Sequence, residues 1–156
     1  MLHVAGRRYG TAGGASASCA LHLQGGNPGM PINSYRDLTV WTRALALVEA
    51  VYRLTGQFPP DERFGIVSQL RRAATSVPAN IAEGYGRATR GEYLNHLSIA
   101  RGSVREVEAL LHVSARLGMI TPDGSAVVLG YVDELQRMLT RLRSTLLQTR
   151  SATGRR

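Results

Sequence analysis

The chain has 156 residues, enough for one domain with a proper core and too few for two ordinary ones. All 19 basic side chains are arginine, which excludes a Schiff-base lysine, a lysine general base and a phosphate loop with its usual lysine, although GC-rich coding explains a lysine-free chain equally well. The lone Cys19 excludes an internal disulfide framework and a zinc cluster of cysteines, and no apolar run approaches the about 20 residues of a membrane span, so a soluble, cytoplasmic protein is expected.

The formal charge of +8 is unevenly placed. Residues 1–33 carry Arg7 and Arg8 without an acid, residues 150–156 carry three arginines, and the body between holds 14 arginines against 11 acids, a balance of only +3. Such a body binds a phosphate backbone only if its charges segregate onto one face.

The opening stretch "AGRRYGTAGGASASCALHLQGGNPG" lacks amphipathic periodicity and cannot bury enough side chain to offset its ordering entropy. Residues 1–33 are therefore expected to form a disordered extension, with Met30 the better start of the protein. An export signal fits poorly, because glycines break the apolar segment and Ser16 stands where a lipoprotein signal wants a leucine-like residue.

Residues 34–149 read as four helices. The first is predicted from about Ser34 to Thr55, with two apolar stripes: Leu38, Trp41, Leu45, Val48 and Tyr52 on one side, and Val40, Ala44, Leu47, Val51 and Leu54 on the other. After the turn "FPPDERFG", a second helix has Phe64, Val67, Leu70, Ala74 and Val77 as its core face and a row of Arg72, Ser76, Ala79 and Glu83 opposite. Pro78 predicts a kink or break just before it.

The third helix opens with the capping-box spacing of Thr89 and Glu92 and is predicted to reach Gly118. Tyr93, Leu97, Ala100, Val104, Val107 and Leu111 make its core row, while Ile99, Ser103, Glu106, Leu110, Val113 and Leu117 make a second row about half a turn away. The fourth has one apolar row, Val128, Val132, Leu135, Leu139, Leu142 and Leu146, and a charged back with Asp133, Arg137 and Arg141. Residues 150–156 read as a basic, disordered tail. Two-sided first and third helices call for a second cover, which a homo-oligomer supplies; burial at the centre of a monomer is the alternative.

The stretches "YRDLTVW", "FPPDERFGIVSQLRRAATSVPANIAEGYGR" and "EYLNHLSIARGSVREVEALL" resemble the proteins named after the intervening sequences of bacterial 23S ribosomal RNA genes. The resemblance covers residues 34–149 and implies an antiparallel up-and-down four-helix bundle, all-α, that assembles into rings, typically pentamers. A more distant resemblance is to the accessory protein of diversity-generating retroelements, which implies RNA or an RNA-binding protein as partner. Ribosome membership does not follow from it.

Within this frame Arg72, Ser76, Pro78, Asn80, Glu83, Gly84, Gly102, Ser103 and Glu106 read as a structural motif or subunit contact: Asn80 and Glu83 as a half-buried polar network, Arg72 as partner of Glu83, Gly84 and Gly86 as releasing the chain, and Gly102 with Ser103 as small facing residues. A ligand site built from the same residues is the alternative. The pairs Glu92 with His96 and Glu108 with His112 stand about 24 Å apart along one helix and cannot share an ion, so no metal site is predicted. No nucleophile motif or nucleotide loop appears, and neither a catalytic residue nor a cofactor is expected. For nucleic acid the candidates are Arg87 and Arg90 in the loop, Arg101 and Arg105 on the third helix, and Arg137 and Arg141 on the fourth, with Glu108 able to neutralise Arg105 and Asp133 able to neutralise Arg137. Most aromatics fall on core positions, which leaves no evident platform for unpaired bases. The reading is a non-enzymatic, oligomeric RNA-binding or accessory module; a protein scaffold without nucleic-acid binding is the alternative.

Overall fold

The computed structural model describes residues 32–152. Four helices, α1 (Thr39–Thr55), α2 (Ile66–Tyr85), α3 (Arg90–Arg116) and α4 (Pro122–Ala152), follow one another through short turns. Each packs against its two neighbours in the cycle α1, α2, α3, α4, and the diagonal pairs make no comparable contact, which is the antiparallel four-helix bundle that the periodicity predicts. Of the two stripes of the first helix, Val40, Ala44, Leu47 and Val51 face the core, and the predicted core rows are buried at Val67, Leu70, Ala74 and Val77 in α2, Leu97 to Leu111 in α3, and Val128 to Leu146 in α4. Fully burying one such leucine stabilises the fold by about 1.5–3 kcal/mol.

The boundaries differ from expectation in instructive ways. The first helix does not begin at Ser34. Reciprocal bonds between Ser34 and Asp37 instead close a 3-10 turn at Tyr35–Asp37, and Leu38 enters the core with extended backbone before α1 starts. Ile32, assigned to the extension, is only 7% exposed and belongs to the core, while α4 continues through residues 150–152 that were assigned to the tail. The remainder of the extension, Met30 as a start and the last four residues lie outside the described residues.

Phe64 is not a core residue of the second helix; it is 88% exposed. A 3-10 turn at Pro60–Phe64 precedes α2, and the chain resets at Gly65, so the helical period cannot be extrapolated back to Phe64. Pro78 produces no break. It is buried within an uninterrupted α2, where packing outweighs the roughly 3 kcal/mol that an interior proline costs an isolated helix. Nor do Gly84 and Gly86 release the chain through unusual backbone, because Gly118, with φ 72°, has the single positive φ among the described residues. At the start of α3 the Thr89–Glu92 capping box is present as predicted. The Thr89 hydroxyl and then its amide hold the Glu92 carboxyl below its ordinary range.

Candidate nucleic-acid interface

The α2/α3 seam is held by small residues and a continuous polar chain. Gly84 lies inside α2 where a Cβ would come within 2.8 Å of both His96 Cβ and Tyr93 Cδ2, so its role is close approach. From the middle of the seam outward, Ser103 Oγ bonds Ser76 Oγ at 2.9 Å, and Asn80 Nδ2 donates to Ser76 Oγ at 3.0 Å and to its carbonyl at 2.9 Å. Asn80 Oδ1 meets His96 Nδ1 at 3.1 Å, and Arg87 Nε donates to His96 Nε2 at 3.2 Å. The guanidinium can only donate, so Nε2 is the acceptor and Nδ1 carries the proton. Arg87 also pairs with Glu83. Every donor named here has an acceptor, and the chain ends at the Arg87–Glu83 pair on the surface.

Arg72 is not the partner of Glu83. It lies eleven residues away on the exposed side of α2, and Arg87 takes the carboxylate from one turn on. His96 was visible in the sequence only as half of a Glu-x-x-x-His pair; its true neighbours come from the facing helix, which no spacing rule within α3 reveals. Gly102 does not face α2: a Cβ there would meet nothing within 4 Å. Glu106 is exposed on the same outer side. One atom of the seam is left over, the buried Tyr93 hydroxyl, which has no hydrogen-bond partner among the described residues. Burial pushes its pKa up.

The α3/α4 groove is built differently. Gln136 Nε2 donates to the Arg101 carbonyl at 3.4 Å, which fixes the antiparallel register. Arg143 stands two turns beyond Gln136 on the same face of α4, about 10 Å along the groove, opposite the first half of α3. Arg101 Nε and Arg143 Nε are both buried without a hydrogen-bond partner among the described residues. A buried donor left unpaired costs about 1–3 kcal/mol, which an anionic acceptor would relieve. Arg143 was not among the predicted residues, because its position beside a core leucine reads as an ordinary helix flank.

Of the predicted arginines, Arg87 is occupied by Glu83 and His96, and Arg105 by Glu108 at 2.8 Å. Asp133 does not neutralise Arg137; the neighbouring Glu134 instead reaches Arg43 of α1 at 3.1 Å. Arg90, Arg101, Arg137, Arg141 and Arg143 have no ion pair among the described residues. Arg101 and Arg143 line the groove, Arg90 opens α3, and Arg137 with Arg141 occupy the back of α4, while Arg63, Arg71 and Arg72 around the start of α2 are likewise without an ion pair among the described residues, so the free charge is not confined to one pair of helices. Among the described residues no group of three metal-ligating side chains occurs and no helix is long and apolar enough to cross a membrane.

The second apolar rows remain partly uncovered. Leu45 and Tyr52 of α1 and Ile99, Val113 and Leu117 of α3 are exposed, whereas Trp41, Val48 and Leu110 are half-buried against the core. Ser103 is the member of the α3 row that α2 covers. Most of the described aromatics are buried or half-buried, as expected, and two rings, Tyr52 and Phe64, face solvent.

Residues 36–141 match the family model described as 23S rRNA-intervening sequence protein. Among solved structures, a Bacteroides thetaiotaomicron protein of unknown function from the S23 ribosomal protein family is similar, with a TM-score of 0.63 and 24% identity over 67% of this chain and 95% of that one. That likeness shows the fold. No curated protein matches significantly.

Proposed function

The chain belongs to the 23S rRNA-intervening sequence protein family, and from that premise we propose that it is a non-enzymatic, cytoplasmic homo-oligomer that binds RNA through the arginines of α3 and α4. One observation carries the reading: Arg90, Arg101, Arg137, Arg141 and Arg143 lack ion pairs among the described residues, and two of them hold a buried, unpartnered Nε in one groove. Phosphate oxygens supply the missing acceptors, and guanidinium forks match them two at a time. The local charge is mild, so the reading gains from assembly: a ring, pentameric in the resembled proteins, repeats the groove around its circumference and multiplies its field. The exposed rows at Leu45, Ile99, Val113 and Leu117 are the surfaces on which subunits would meet.

Those same rows favour the second reading, a scaffold that gathers proteins by apolar contact. Salt separates the two, since phosphate binding weakens steeply with ionic strength and apolar docking does not. Light scattering on the full chain, alone and with cellular RNA at low and high salt, tests both. An assembly that gains RNA mass at low salt alone supports the proposal; an assembly indifferent to RNA leaves the scaffold, and a monomer removes the oligomer.

A further inference from the structure

A second cluster of arginines lies across the bundle from the α3/α4 groove, between α1 and the start of α2. Here Tyr52, Arg63, Phe64, Val67, Arg71 and Arg72 line a groove of about 430 Å³. Its construction begins with the turn: Pro59 and Pro60 set the 3-10 segment, Glu62 Oε2 accepts the Ile66 amide at 3.2 Å to open α2, and Phe64 is left pointing away from the core. The Arg63 guanidinium lies 5.6 Å from the centre of the Phe64 ring. Arg71 is held more firmly. Its Nε donates to Thr55 Oγ1 at 2.9 Å, the buried Thr55 donates in turn to the Val51 carbonyl at 2.8 Å, and the guanidinium carbon sits 4.6 Å from the Tyr52 ring centre.

Three guanidiniums thus share one groove with no ion pair among the described residues, and no carboxylate lines it. Like charges gathered this way repel unless an anion joins them. A bare phosphate would use the arginines and leave the exposed rings idle, whereas an apolar protein segment would use the rings and desolvate three unpaired cations. A ligand with one planar apolar face and one phosphate uses both. The groove volume lies within the about 300–1,000 Å³ of small-ligand sites.

We propose that this groove binds an unpaired nucleotide, its base stacked on Phe64 and its phosphate held by Arg71 and Arg72. The site is independent of the α3/α4 arginines and adds to duplex-tolerant phosphate binding a preference for single strands. Free nucleotides and single-stranded nucleic acid offer the same chemistry. The test measures, on the full chain, the affinity of a labelled ten-nucleotide single strand and of the corresponding duplex, with AMP as competitor.

Phe64→Ala is expected to weaken the single strand by about 5- to 100-fold, the range of base–aromatic stacking, and to leave the duplex within about twofold. Phe64→Trp should keep the wild-type affinity and Phe64→Leu should not; because Phe64 is exposed, all three should retain the wild-type circular dichroism. Competition by AMP would place free nucleotides in the same groove, and its failure beside a Phe64-dependent single strand would assign the groove to polymers. Equal single-strand affinity in wild type and Phe64→Ala would overturn the proposal, as would full binding by Phe64→Leu. A fall in assembly mass on Phe64→Ala would overturn it in favour of a second copy of the chain seated on the groove. Arg101→Glu with Arg143→Glu serves as the separate control: loss of duplex binding there with retained Phe64 dependence, or the reverse, tells failure of one site from failure of the other.

Discussion

The two seams flanking α3 use similar side chains to opposite ends. Between α2 and α3, Ser103, Ser76, Asn80, His96, Arg87 and Glu83 form a chain in which each donor meets an acceptor, and Gly84 lets the helices approach until no further atom fits. Between α3 and α4, Arg101 and Arg143 hold buried Nε donors without an acceptor among the described residues. A satisfied network specifies one packing, and an unsatisfied cationic one is completed from outside. On the proposed reading the first seam serves structure and the second serves binding, although the sequence presents arginines and small residues at both.

The comparison breaks most visibly at Gly84. Gly84→Val forces a branched side chain into space already occupied by Tyr93 and His96, and a loss of about 3 kcal/mol is expected by urea unfolding, the upper part of the overpacking range, with an even larger cost if the seam cannot shift. Asn80→Ala strands the His96 Nδ1 proton and removes one of the two donors to Ser76 Oγ, and should cost about 1–3 kcal/mol in the same assay. Neither variant, at a temperature where it is folded, should alter the salt dependence of RNA binding.

Tyr93→Phe sharpens the comparison from the other side. The Tyr93 hydroxyl is the seam's one unpartnered polar atom, so removing it should leave stability unchanged or raise it by up to about 1 kcal/mol, whereas losing a bonded hydroxyl would lower it. The smallest effect belongs to Glu92, whose carboxyl is held low by Thr89. Its folded value is below the ordinary 4.5 of a free glutamate, so the stabilisation is present above that pH and disappears as pH falls through the folded value. Glu92→Gln should lower stability slightly above pH 4.5, where the wild-type carboxylate contributes, converge on the wild type in acid, and so flatten the acid limb of the stability profile.

Much of the fold was legible because periodicity reports burial directly: the core rows named for the second, third and fourth helices are buried, Phe64 excepted. What failed were junctions. Phe64 and Ser34 lie in 3-10 turns that restart the helical phase, and Pro78 obeys packing over propensity. The seam was legible only on one helix at a time. Asn80 and Glu83 stand out within α2, but their partner His96 is sixteen and thirteen residues away, across a turn. Arg143 and Arg71 escaped notice because an arginine's freedom or engagement depends on the facing helix, where Arg101 has no acid and Arg71 has Thr55.

The division between a closed seam and an open groove is tested most directly by the slope of log Kd against log salt for RNA. Each phosphate contact contributes about 0.7 to that slope for single strands and about 0.9 for duplexes. Replacing Arg101 and Arg143 together by Gln should lower the slope by roughly 1.4–1.8 with unfolding unchanged, while Asn80→Ala should lower stability with the slope unchanged. A slope that is the same in wild type and in the double arginine variant would contradict the assignment of binding to the α3/α4 groove.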